Sequence, residues 1–169
     1  RHESAVQSGI AHFVEHMLFK GTATRSAEDI AQEIDSIGGQ LDAFTAKDCA
    51  SYYVKVLDEH LPRAFDVLSD LLLRPAFDSD EIAREKKVVL EEIKMVEDTP
   101  DDLLHELFTQ RFWSGHPLGR PILGVPETVG SFDHETLGAY FEHVYTADNL
   151  VVAAAGNVGH AAVRDLVAE

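Results

Sequence analysis

The run GIAHFVEHMLFKGT, residues 9–22, sets two imidazoles and a carboxylate inside a segment that must otherwise be buried. Ile10, Phe13, Val14, Met17 and Leu18 recur at helical spacing, which predicts a helix over residues 5–20 with one apolar stripe. A hydrophobic helix has no need of two histidines and a carboxylate in its middle. Four residues advance about 400° on an α-helix, so His12 and His16 point about 40° apart and one turn along the axis. Two imidazoles so placed can grip one cation of zinc size. Glu15 lies about 60° around from His12 and about 100° from His16. It sits beside such a cation, as suits a base that takes a proton from water.

The order His-x-x-Glu-His is the inverse of the His-Glu-x-x-His zinc motif. Five residues alone equally allow a helix whose histidines face solvent or satisfy core hydrogen bonds. A catalytic zinc site needs a third protein ligand, with water in the fourth position. The highly charged helix predicted from Ser79 to about Val96 offers one. Glu85, Val88, Val89, Glu92, Met95 and Val96 fall on one side of it, with Lys86, Lys87, Lys94 and Glu97 towards the other. Glu92 stands mid-stripe, and Glu85 lies two turns before it, about 20° off in direction. An unpaired carboxylate there costs several kcal/mol, roughly, which a cation relieves. Glu91 lies about 100° around, nearer the polar side, so Glu92 is the preferred ligand. The bland alternative is that both glutamates reach the rim and are solvated.

Elsewhere Ser26 with Asp29 forms a capping pair for a second helix that Gly38-Gly39 ends. LDAFTA and SYYVKVL, rich in aromatic and β-branched residues, predict two strands paired through Lys47-Asp48. Further helices are predicted over 61–73, 101–113 and 133–145, with a Gly/Pro-punctuated loop, SGHPLGRPILGVPETVG, before the last. LVVAAAG, residues 150–156, has strand composition. The fold class is α+β: a two-layer domain with a mostly antiparallel sheet packed against helices.

A net charge of −16, from 14 basic and 30 acidic residues, excludes a nucleic-acid surface and tilts the expected substrate towards basic peptides. With Cys49 as the sole cysteine, neither an internal disulfide nor a thiolate metal site can form. No apolar run reaches the roughly 18 residues of a membrane span, and no signal-peptide pattern appears. The compartment stays open, with the cytoplasm favoured, and the periplasm or an organelle allowed if a signal precedes Arg1. The chain opens without an initiator Met and ends at Glu169 in a helix-like run, which predicts a piece of a longer protein.

GIAHFVEHMLFKGT, GGQLDAFTAKDCASYYVKVL, EKKVVLEEIKMVEDTPDD and HPLGRPILG, in that order, resemble the pitrilysin, insulin-degrading enzyme and mitochondrial processing peptidase family, nearest its single-repeat bacterial members. The resemblance implies that residues 1–169 are a single, partial N-terminal metallopeptidase domain, incomplete at the N-terminus and the C-terminus, without the second domain and second half. It implies one Zn2+, with His12, His16 and Glu92 as ligands, Glu15 as general base and Glu85 as a supporting acid. Asp42-Ala43-Phe44-Thr45 matches the edge strand to which extended peptides add by backbone pairing. Asp42 stands where Asn is more familiar, and Cys49 where His or Gln is common. The family's assisting Arg and Tyr come from the other half or a partner subunit, so no residue here is assigned those roles. A homo- or heterodimer closing a chamber is the implied assembly.

The implied activity is zinc-dependent endopeptidase hydrolysis of extended peptides or unfolded segments, by a processing peptidase or a general oligopeptidase; the fragment alone is expected to be inactive. The rival reading is a non-catalytic scaffold or assembly subunit of the same family. His2, His60, His105, His134, His143 and His160 have no ligand-spaced partner, and His116 is assigned no chemistry. Trp113, Tyr52 and Tyr53 are read as core.

Overall fold

The computed structural model describes residues 3–168. At its centre is α1 (Ile10–Leu18), whose Ile10, Phe13, Val14, Met17 and Leu18 are all buried. The predicted helix over 5–20 is shorter than expected. Ala5–Gln7 form a 3-10 turn, and Gly9 at φ 89° breaks the path before α1 begins. A Cβ on Gly9 would lie 2.6 Å from the Cα of Gly124, so only glycine allows the start of α1 to rest on the Gly/Pro loop. The carboxylate of Glu3 accepts from the backbone N–H groups of Gly9 and Ala11, at 3.1 and 2.9 Å, satisfying donors that the helix start leaves unpaired.

In α2 (Ala27–Ser36) the Ser26 and Asp29 capping box forms as expected, and Gly38, at φ 63°, ends the helix. The strands β1 (Gln40–Thr45) and β2 (Ala50–Lys55) pair antiparallel, with Leu41 opposite Val54, Ala43 opposite Tyr52 and Thr45 opposite Ala50. Ala46 N–H donates to Cys49 O at 2.7 Å across the Lys47-Asp48 turn. There follow α3 (Leu61–Leu73), α4 (Ser79–Asp98), α5 (Pro100–Phe112), α6 (Pro126–Ser131), α7 (His134–Val144) and α8 (His160–Ala168). Pro100 sits in the first turn of α5, where its missing N–H costs nothing. Helices with a small antiparallel sheet give the α+β class.

Two apolar clusters hold these elements. The larger packs α1 against Ile82, Val89 and Ile93 of α4, Val129 of α6, Phe132, and Leu137 and Tyr140 of α7. The smaller joins Ile30 and Ile34 of α2 to Val67 and Leu71 of α3, beneath Leu41 and Val54 of the hairpin. Beside it, the fully buried Asp70 carboxylate accepts from Thr22, Thr24 and Arg25 at 2.6, 2.7 and 2.9 Å, and Arg74 Nε lies 2.9 Å from its second oxygen.

Several expectations change. Residues 151–155 carry no sheet pairing, and Val151 is 93% exposed. A run of strand composition becomes a strand only beside another that takes up its N–H and C=O groups, and the β1–β2 sheet does not reach it. The buried side of α4 is Ile82, Glu85, Val89 and Ile93, whereas Val88 and Met95 are exposed. Trp113 is exposed and stacks edge-on against Phe112 instead of entering the core. Tyr52 packs against the larger cluster, and Tyr53 is half-buried. The short helix α6 inside the Gly/Pro loop went unpredicted, although Pro126 at its first position and Val129 at its centre place it. His2 lies outside the described residues.

Candidate metal centre

Packing of α1 against α4 brings four of the expected residues face to face. His12 and His16, one turn apart on α1, aim Nε2 atoms at each other across 3.1 Å. Glu92 Oε2 of α4 lies 3.8 Å from the first nitrogen and 3.6 Å from the second. One ligand atom from each of the three residues falls within 4.8 Å of the others. Glu92 is less buried than its place in the helical pattern implied. Its side chain is 35% exposed, so it stands at the rim, while Glu85 is 4% exposed.

Glu85 Oε1 lies 2.9 Å from Nδ1 of His16. A carboxylate only accepts, so Nδ1 carries the proton and the lone pair on Nε2 faces His12 and Glu92. Burial, and then the neighbouring His16, push the His12 pKa down to about 4, which leaves that ring neutral and able to ligate at pH 7. His12 Nδ1 is buried without a hydrogen-bond partner. Two imidazole nitrogens and a carboxylate oxygen that converge within 4.8 Å match the donor types a three-ligand zinc site uses. The residues fit a zinc ion.

Glu15 is half-buried next to this cluster, and its Oε2 accepts a hydrogen bond from the Thr45 hydroxyl of β1. Burial pushes the Glu15 carboxyl above its ordinary value. The Thr45 hydroxyl and His16 pull it back, and Asp42 and Glu92 push it up. A carboxyl raised above its ordinary value is better matched to proton transfer near neutral pH. The Tyr52 and Tyr145 hydroxyls lie 2.6 Å apart, and burial raises both phenols above their ordinary value.

Of the predicted peptide-binding residues, Asp42 and Phe44 point outwards and Ala43 and Thr45 inwards. β1 has β2 on one edge and no strand on the other among the described residues. Asp42 Oδ1 accepts from Ala43 N–H at 2.8 Å, and its Oδ2 accepts from Tyr53 at 3.1 Å. The Thr45 side chain serves Glu15, a contact that strand alternation alone does not predict.

One residue escaped the sequence reading. Lys20 Nζ lies 2.8 Å from Glu85 Oε2. The signal was its spacing, because His12, His16 and Lys20 follow one another four residues apart along the same face.

The profile of Insulinase (Peptidase family M16) matches residues 1–125. The chain belongs to the insulinase family. A Bacillus subtilis relative named "Uncharacterized zinc protease YmxG" is 49% identical over 166 residues, covering 98% of this chain and 41% of its own length. Among solved structures, a protease from Helicobacter pylori superposes with a TM-score of 0.93 at 24% identity, covering 98% of this chain and 40% of that one. An M16 inactive domain from Pseudomonas fluorescens gives a TM-score of 0.73 at 23% identity, over 79% of this chain and 33% of its own. The chain therefore spans about two fifths of the length of the insulinase-family relative from B. subtilis. No helix among the described residues is long and apolar enough to cross a membrane.

Proposed function

We propose that residues 1–169 are the metal-bearing part of a zinc metalloendopeptidase, with His12, His16 and Glu92 as zinc ligands and Glu15 as general base. The convergence of three ligand atoms within 4.8 Å, with Glu15 beside them, carries this reading. Relatives of the family named as zinc proteases support it. Zinc held there supplies Lewis acidity, lowering the pKa of a water towards ~7 and polarising a peptide carbonyl.

The chain's own residues account for the remaining steps. The unpaired edge of β1 receives an extended peptide by backbone pairing and so fixes the scissile bond in register. Glu15 Oε1, the oxygen not engaged by Thr45, takes the proton of the attacking water and returns it to the leaving amine. Glu85 holds the His16 ring with its Nε2 lone pair turned to the ligand cluster. The rest of the polypeptide or a partner subunit closes the chamber.

The same fold occurs in an inactive domain, so the fold alone does not separate an enzyme from a scaffold subunit; the intact ligand set favours the enzyme. In the full-length protein, zinc content by elemental analysis should be one per site, and Glu15→Gln should keep the zinc while abolishing cleavage of a quenched fluorescent peptide. A zinc-free protein turns the assignment to the scaffold reading. Retained cleavage removes Glu15 as the base.

A further inference from the structure

Between α1 and α4 the polar side chains form a ladder: His12, Glu92, His16, Glu85, Lys20. Its last rung has no part in the metal reading so far. The Lys20 side chain is 33% exposed and reaches from the end of α1, where Lys20 N–H donates to Met17 O at 3.0 Å. Its ammonium lies 2.8 Å from Oε2 of a carboxylate that is only 5% exposed in its side chain. The other oxygen of that carboxylate is the one facing His16 Nδ1 at 2.9 Å.

We infer that Lys20 is a positioning residue for the zinc site: by holding Oε2 of Glu85, it fixes the carboxylate so that Oε1 orients the His16 ring. The inference rests on the zinc-site reading given above. A glutamate side chain has three rotatable bonds, and one hydrogen bond to His16 does not fix the carboxylate plane. Two partners on opposite oxygens do. Removing one partner of a buried pair leaves an oxygen unsatisfied, and the carboxylate turns to recover it. The His16 ring, whose Nδ1 is paired with Oε1 of that carboxylate, follows. Outer partners that orient a metal-bound histidine are worth about 10–100-fold in metal affinity. Lys20 acts one contact further out, so the lower end, about tenfold, applies.

The test is zinc affinity of the full-length protein, measured with Zn2+ alone against a chromophoric chelator. Lys20→Met should weaken binding about tenfold, and Lys20→Arg, which keeps a cation for Oε2, should stay within about threefold of wild type. In a Glu85→Gln background, Lys20→Met should add no further loss. A merely structural role for Lys20 leaves its effect undiminished there. If Lys20→Met does not fold, Lys20→Gln takes its place in the cycle. Equal affinity of wild type and Lys20→Met, or an undiminished effect in the Glu85→Gln background, overturns the role of Lys20 while leaving the zinc site standing. A wild-type protein that binds no zinc overturns the site and this inference together.

Discussion

Replacing Thr45 by Val exchanges a hydroxyl for a methyl of similar size, on a half-buried position of β1 whose side chain touches the proposed base. The hydroxyl donates to Glu15 Oε2, and this contact pulls the carboxyl down against the larger upward push of burial. Without it, the protonated, inactive acid persists to higher pH, so the acid limb of kcat/KM moves up. A hydrogen bond to a charged group contributes about 1.5–3 kcal/mol. Glu15 is only half-buried and water competes for the vacated oxygen, so the lower end applies. That corresponds to about tenfold in the population of the ionised base. With a fluorogenic peptide and the full-length protein, Thr45→Val should fall about tenfold below wild type on the acid side. The two should converge on the plateau, where both bases are ionised. Thr45→Ser should follow wild type, and zinc content should be the same in all three. Superimposed acid limbs, or a deficit equal at every pH, would show that Thr45 does not act through the charge on Glu15.

Two further predictions concern the frame that carries the site. Burial pushes the Asp70 carboxyl up, but hydrogen bonds from Thr22, Thr24 and Arg25 outweigh it, so its folded pKa lies below the ordinary value. Its contribution is complete above about pH 4 and is lost as pH falls through the folded pKa. Asp70→Asn should therefore cost about 3–5 kcal/mol in urea unfolding at pH 7, with the gap to wild type closing in acid. Gly9→Ala places a methyl 2.6 Å from Gly124 Cα at a backbone φ of 89°, and should cost about 3 kcal/mol by the same measurement.

Legibility followed periodicity and the locality of signals. The α1 stripe was readable because all five of its apolar residues go into the same core, and the hairpin because its composition changes sharply at Gln40. Val88 and Met95 were misplaced on α4 because a helical wheel gives directions without the width of the neighbours, and only Ile82, Glu85, Val89 and Ile93 of this helix are buried. The strand read at 150–156 failed because strand composition states what a segment can pair with, not whether a partner lies beside it. The contact of Thr45 with Glu15 and that of Lys20 with Glu85 were illegible for another reason. Each residue acts through a contact between elements far apart in the chain, and the spacing that aligns Lys20 with His12 and His16 does not name Glu85 as its partner.

The arrangement separates what fixes the proposed ligands from what fixes the proposed base. Ligand-atom spacing between α1 and α4 is set by the core that clamps the two helices, in which Phe13, Val14 and Val89 are fully buried. A packed interface of this kind resists displacement, so the helix backbones that carry the three residues move only if the core does. Glu15 adjoins His16 in sequence, yet its carboxylate is tethered to β1 through Thr45, and the opposite edge of that strand is unpaired. On the proposed reading, a peptide adding to the edge of β1 bears on Thr45 and, through it, on Glu15, while the helices that carry His12, His16 and Glu92 stay in place. Catalysis on this frame would tighten at Glu15 when a peptide pairs, and the metal centre would need no rearrangement of its own.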